Sequence, residues 1–301
     1  MTMSIRDHKR QIYSELESRY QSRGAGVTIA DSILVWQEGR VTKIPMRKCA
    51  EEVFIINTFQ RLNIPTVDIM EMGSIETQIG KVDSYTMKTI DGAQDISKHG
   101  NRYMSPNYYD FLRHVFDQLQ TVPMQGAGAI EQTASSIRTQ FSTDKELLQD
   151  VFQRTRARGY WHEGEMDALE TELSQYQKPS DTVLAHTDIL NNIVADGDNN
   201  FYLIDPQTIV SAANKYWDLS YYLIYANGFG CTKGLAEFVK TRNIKDDWGL
   251  FMLTAKINAY ERTSFYTQYD LQRVPGMLAF LESLKEGNIR IGDVVLTKED
   301  L

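Results

Sequence analysis

The chain has 301 residues, a net charge of −8, and 42% hydrophobic against 24% charged residues. That composition suits a globular protein large enough for two lobes around a cleft, and its acidity argues against sequence-independent nucleic-acid binding, which needs a basic face. No apolar run approaches the ~18 residues of a membrane span, Met1–Arg10 is polar with no signal-peptide pattern, and Cys49 and Cys231 sit in no paired motif. No membrane partner, disulfide framework or cysteine zinc site is therefore expected, and a reducing cytoplasm is.

In chain order, Ser4–Arg23 sets Ile5, Ile12, Leu16 and Tyr20 among many charges, which predicts a helix with one buried stripe. Gly24 to Ser32 reads as a loop able to cover phosphates, with Ser32 as its nucleotide-binding candidate; the glycines alone equally suit a plain turn. Ile33–Gln37, the turn at Glu38-Gly39, and Arg40–Pro45 predict two strands. No Gly-x-x-x-x-Gly-Lys-Ser/Thr motif occurs, which argues against a P-loop enzyme.

Strand alternation puts Val41 and Lys43 on one face and Thr42 and Ile44 on the other. A helix follows from Ala50 to Leu62. Its stripe of Ile55, Ile56, Phe59 and Leu62 shares a face with Glu52, and Glu51 stands beside it as an alternative. A strand lysine paired with a carboxylate on the next helix is a device for holding the α- and β-phosphates of a nucleotide.

Asn63–Val67 reads as a helix end entering a strand, and Glu76–Val82 and Ser84–Thr89 as further strands. Asn107–Thr121 has helical spacing, Val122–Gly128 breaks it, and residues 131–178 read as helix-rich and polar. The acids Glu163, Glu165, Asp167, Glu170 and Glu172 there suit a solvated helix face, or else an acidic wall for a polyamine-like substrate. Beyond Asp218, Leu219–Ala226 predicts a core helix, and residues 233–285 supply two or three more, including Leu250–Tyr269. Tyr260, Phe265, Tyr266 and Tyr269 are core residues by default or flank an acceptor pocket. Residues 286–301 read as a loosely held tail.

The most informative stretch is Val183-Leu-Ala-His186-Thr-Asp188-Ile-Leu-Asn-Asn192-Ile-Val-Ala195, followed by Phe201-Tyr-Leu-Ile-Asp205-Pro206. Short apolar runs around the turn cluster Asp196–Asn200 predict a hairpin that would bring the His186–Asn192 loop and Asp205 to one end. A carboxylate that orients a hydroxyl, followed by an amide and a second carboxylate that hold magnesium, is a phosphoryl-transfer constellation. Asp188, Asn192 and Asp205 are the right types in the right order.

These residues resemble the aminoglycoside phosphotransferase family of small-molecule kinases, whose loop reads His-Gly-Asp-x-x-x-x-Asn before an Ile-Asp. Here Thr187 replaces the glycine, and one residue is missing between Asp188 and the asparagine that precedes the strand. Asn192 keeps its place before Ile193 and is the metal-binding counterpart, with Asn191 as a competitor. Tyr216-Trp-Asp218-Leu is similar to the family's Tyr-Asp-Leu-Ala segment, and Tyr85–Gly92 resembles its hinge. The resemblance implies that main-chain groups of Lys88 and Ile90 meet the adenine edge and that His186 is structural.

The resemblance further implies an α+β, two-lobed protein-kinase-like fold. An N-terminal nucleotide-binding lobe with an antiparallel sheet and helix would span 1–90, and a mainly helical catalytic and acceptor-binding lobe 91–301. It implies transfer from ATP or GTP with Mg²⁺ to a hydroxyl of a small molecule, an aminoglycoside or related antibiotic first. Asp188 would be catalytic, Lys43, Glu52, Ser32, Lys88 and Ile90 nucleotide-binding, and Asn192 and Asp205 metal-binding. A metabolic kinase for an amino alcohol, sugar or amino acid, and an inactive nucleotide-binding relative, are the alternatives.

Overall fold

The computed structural model describes residues 5–21, 25–29, 32–45, 49–132, 136–177, 181–206 and 209–301. Gly24 and residues 30–31 and 46–48 lie outside them. The chain divides into two compact units, one of Met1–Ala93 with Asp196–Asp205, the other of Gln94–Ala195 with Pro206–Leu301.

The first unit begins with α1 (Ile5–Gln21), then β1 (Gly26–Ile29), β2 (Ser32–Gln37), β3 (Arg40–Pro45), α2 (Cys49–Arg61), β4 (Ile69–Thr77) and β5 (Gly80–Lys88). The strands form one sheet in the order β1-β2-β3-β5-β4, with all neighbours antiparallel. Val27 and Ile29 are β-branched, and the stretch read as a loop at Gly24–Ser32 instead contains β1. Ile12 and Leu16 of α1 pack with Ile33, Val35 and Ile44, the face of β3 opposite Lys43. On the Lys43 face, Cys49, Val53 and Ile56 of α2 pack with Val67 and Tyr85, and Ile204 joins them.

Two expectations in this unit fail. Residues 64–68 are not strand; β4 begins at Ile69, after Asn63 ends the helix in the left-handed region with φ 55°. The stretch Glu76–Val82 contains a turn, with Thr77 facing Gly80 across the hairpin and Gly80 at φ 119°. Gly80 beside Ile79 is the turn signal that the strand reading passed over.

The second unit holds β6 (Gln94–Asp95), a 3-10 segment, α3 (Pro106–Gln120), β7 (Pro123–Met124), β8 (Ala127–Gln132), β9 (Ile137–Phe141), α4 (Asp144–Ala157), α5 (Glu163–Gln175), β10 (Thr182–Leu184) and β11 (Ile193–Ala195). Phe201–Leu203 of the first unit is β12. The second unit resumes with β13 (Ala212–Asn214), α6 (Trp217–Phe229), α7 (Leu235–Lys240), α8 (Trp248–Tyr269), α9 (Val274–Lys285), β14 (Ile289–Ile291) and β15 (Val294–Leu296). It is mainly helical, yet it contains a five-stranded sheet ordered β7-β10-β13-β8-β9. Residues 131–178 therefore start with strand, not helix. The expected loose tail is a docked hairpin instead: Ile289, Ile291 and Leu296 are buried, and Asn227 bonds both Arg290 O and Gly292 N at 3.0 Å. No helix of the described residues is long and apolar enough to cross a membrane.

Helices α6 and α9 meet so closely that a Cβ on Gly276 would stand 2.2 Å from Asn227 O. Helix propensity alone favours alanine over glycine by roughly 1 kcal/mol. The clash reverses that sign, and Gly276→Ala is expected to destabilise the protein by about 1–3 kcal/mol in urea unfolding.

Candidate active site

In the first unit, β3 and α2 set a lysine against two carboxylates. Lys43 is 4% exposed, and its Nζ lies 2.8 Å from Glu52 Oε2 and also pairs with Asp205 Oδ1. Glu52 is itself buried and accepts from the Tyr85 hydroxyl at 2.9 Å, whereas Glu51, on the adjacent turn position, is not in this pair. Burial pulls the Lys43 ammonium down, but the charges of Asp205 and Glu52 outweigh it and hold its pKa above the usual lysine value. An ammonium has one more N–H than these carboxylates use, which leaves a donor for an incoming oxyanion. Asp205 has 47% of its side chain exposed and sits at φ 52°, a left-handed conformation that aspartate tolerates better than most residues.

Ser32 opens β2 opposite Pro45. Lys88 ends β5; its N–H donates to Asp68 O at 3.0 Å, so only its carbonyl can serve a ligand. Lys88, Thr89 and Ile90 line a cleft of about 410 Å³ together with Asp68, Asp91, Asp196 and Asp198. Four carboxylates facing one ammonium make that cleft a poor seat for phosphates, in contrast to the surroundings of Lys43.

In the second unit the loop after β10 is fixed from below by the first turn of α6. The main-chain N–H of His186 donates to both oxygens of Asp218 at 3.1 and 3.0 Å, and that of Thr187 donates to Oδ1 at 2.6 Å. Burial pushes the Asp218 carboxyl up to about 6, against the pull of the two amides. Thr187 has φ 70°, where a β-branched residue is strained. Its hydroxyl donates to Val210 O at 2.9 Å and accepts from Trp217 Nε1 at 3.1 Å, so it holds the conformation a glycine would adopt freely.

Asp188 is then presented half-buried. Its carboxylate accepts from Asn191 Nδ2 at 2.6 Å, and its carbonyl accepts from Asn192 Nδ2 at 2.8 Å. The shortened loop is taken up by a 3-10 turn, Leu190–Asn192. The two asparagines thus differ in role, one clamping the side chain of Asp188 and the other its main chain. With Nδ2 committed to a carbonyl, Oδ1 of Asn192 is directed elsewhere and remains an oxygen donor suited to a hard cation, as does the Asp205 carboxylate. Among the described residues no cluster of three or more His, Cys, Asp or Glu could hold a metal by itself.

No protein-family model matches the sequence, and no curated protein matches it by sequence. Solved structures match by shape. A thermostable mutant of aminoglycoside phosphotransferase APH(4)-Ia, in ternary complex with AMP-PNP and hygromycin B, gives a TM-score of 0.64 at 8% identity, over 92% of this chain and 98% of that one. The GDP complex of wild-type aminoglycoside 2'-phosphotransferase-IIIa gives 0.56 at 12% identity, over 92% and 98%. The choline kinase LicA from Streptococcus pneumoniae gives 0.55 at 12% identity, over 91% and 99%. The chain has the aminoglycoside phosphotransferase fold.

Within this phosphotransferase fold the surroundings of Asp188 differ from what the sequence suggested. The acids of α5 are paired: Glu163, Asp167 and Glu170 with Arg156, Glu172 with Lys256, and Glu165 with Lys285. Three of them share the single guanidinium of Arg156, and Glu163 and Asp167 keep 73% and 63% of their side chains exposed. Of the aromatics of α8, Tyr266 feels the charge of Asp188, whereas Tyr260 packs edge-on against Trp161 at 4.8 Å and Tyr269 on Phe265 at 4.6 Å. Tyr225 of α6 also feels that charge, and nothing in the local sequence pattern singles it out.

Thr187 carries strain and two buried hydrogen bonds at once. Thr187→Gly is expected to change stability by no more than about 1–2 kcal/mol, since relief of strain offsets the lost bonds. Thr187→Val keeps the strain and orphans Val210 O and the Trp217 N–H, and should cost about 2–5 kcal/mol. Chemical denaturation of the two variants checks the order.

Proposed function

We propose that the protein transfers the γ-phosphoryl group of ATP or GTP to a hydroxyl of a small molecule. The observation that carries this reading is the group of buried Lys43, buried Glu52 and half-exposed Asp205, a cation held by two carboxylates with a donor left over. Lys43 binds α- and β-phosphate oxygens and Glu52 positions it. Ser32 lies on the phosphate side, and the Lys88 carbonyl and Ile90 N–H meet the base. Asp188, oriented by Asn191, takes the hydroxyl proton. The acceptor oxygen forms the new O–P bond, the β–γ bridging P–O bond breaks, and the nucleoside diphosphate leaves.

Asp205 and Asn192 are the oxygen donors for Mg²⁺, which when bound neutralises phosphate charge. A reducing compartment such as the cytoplasm suits Cys49 and Cys231, both buried and unbridged. The fold likeness is to kinases of aminoglycosides and of choline. An aminoglycoside antibiotic was the first expectation for the acceptor. A metabolic hydroxyl compound such as an amino alcohol is the other class, and the likeness to a choline kinase supports it.

Lys43→Ala is expected to lower transfer about 100-fold or more, while Lys88→Ala leaves it within about two-fold, since only main-chain atoms of Lys88 act. Equal effects in steady-state assays would contradict the reading. Asn192→Ala should raise the magnesium concentration needed for half-maximal rate, whereas Asn191→Ala should lower kcat at an unchanged magnesium requirement. The reverse pattern would exchange their roles.

A further inference from the structure

The sheet of the first unit has two faces, and its two helices take different ones. Residues directly opposite each other in an antiparallel pair point the same way. Leu34, Lys43 and Tyr85 therefore form one row on the Lys43 face, and Trp36, Val41 and Met87 form the next. Helix α1 packs with Ile33, Val35 and Ile44 on the opposite face. Helix α2 packs on the Lys43 face at its β5 side, with Tyr85 and Met87. The β1–β2 side of that face stays open. There Trp36 is 42% exposed, Gly26 and Thr28 are exposed, and Leu34 is half-buried.

Trp36 is exposed but held. Its Nε1 donates to Thr28 Oγ1 on β1 at 3.0 Å, and its opposed partner, Gly26, has no side chain to lay over the ring. The N–H is the only polar group of an indole, so the ring itself is what remains for a ligand. Trp36 is also the diagonal neighbour of Lys43, a separation on the order of 7–8 Å that aromatic and long side chains bridge. Two rows flank Lys43. One pairs Ser32 with Pro45. The other, Trp36–Val41–Met87, is apolar throughout and runs on into Lys88, Thr89 and Ile90, the segment read above as meeting the base. With phosphates on Lys43, a flat base belongs on the second row.

We propose that Trp36 stacks on the base of the nucleoside triphosphate, so that the site takes purine nucleotides in preference to pyrimidine nucleotides. This rests on the phosphotransferase reading and adds a residue to its nucleotide seat. Every base has a ring face, but a two-ring base offers an indole more area, and the preference follows from stacking strength. Thr28 is a positioning residue that acts through the ring.

The test is calorimetric binding to the full chain in Mg²⁺, with ATP, GTP, CTP, UTP and inorganic tripolyphosphate as probes, beside tryptophan fluorescence. The wild-type chain is expected to bind ATP and GTP about five-fold or more tighter than CTP and UTP. Trp36→Leu should weaken ATP and GTP about ten-fold or more, remove most of the purine preference, and leave tripolyphosphate within about two-fold. Trp36→Phe keeps a ring and should hold ATP within about three-fold of wild type. ATP should quench the wild-type emission, and most of that quench should be absent in Trp36→Phe. Thr28→Val should fall between wild type and Trp36→Leu. Unfolding midpoints in urea show whether each variant is folded. Equal wild-type affinity for ATP and UTP, ATP bound undiminished by a folded Trp36→Leu protein, or an equal loss for ATP and tripolyphosphate overturns the proposal and leaves the phosphotransferase reading intact. If Trp36→Leu does not fold, an ATP quench undiminished in Trp36→Phe overturns it in the same way. Binding of neither ATP nor tripolyphosphate by the wild-type chain, with no transfer to any acceptor, overturns that reading and the proposal with it.

Discussion

The amides of His186 and Thr187 converge on the carboxylate of Asp218, a residue at the first turn of a helix whose next eight positions are buried. A carboxylate accepts from both amides at once, which an amide or hydroxyl side chain cannot do with the same geometry. The contact sets the direction in which the chain leaves β10, and so places Asp188. Desolvation works against the charge there, and the two amides work for it. A loop held this way needs no glycine at position 187. Threonine accepts the left-handed backbone because its hydroxyl bonds Val210 O and Trp217 Nε1 in the core beneath.

The first unit solves a different problem with the same chemistry. A lysine buried on a sheet face would lose its charge if left alone. Glu52 and Asp205 keep it charged, and the Tyr85 hydroxyl keeps Glu52 in place. One carboxylate is buried and fixed by a helix. The other is half exposed, on a residue in the left-handed region just past a short strand. On the proposed reading, it is the one to exchange partners when phosphates and a cation bind.

Much of this was legible in the sequence. Alternation along Val41–Ile44 put Lys43 opposite Ile44, and helical spacing put Glu52 on the buried face of α2, because both follow from backbone geometry alone. The order of Asp188, Asn192 and Asp205 was visible for the same reason that a motif is. The sheet of the second unit was not visible: Pro123–Met124, Thr182–Leu184 and Ala212–Asn214 are too short to show a period of two. The C-terminal hairpin escaped for that reason as well. The pairing of the α5 acids joins residues from separate helices, so no local pattern announces it. At position 187 the sequence showed only an unusual residue. The hydroxyl contacts that make it tolerable come from residues 23 and 30 positions away.

The central claim is that Asp188, held by this loop, takes the proton of an acceptor hydroxyl. The most direct measurement compares the single-turnover rate of phosphoryl transfer by the wild-type chain and by Asp188→Asn, with nucleotide affinity measured alongside. The account predicts a rate about 100-fold to 10,000-fold lower in the variant, with nucleotide binding unchanged. A variant that transfers at the wild-type rate would contradict it.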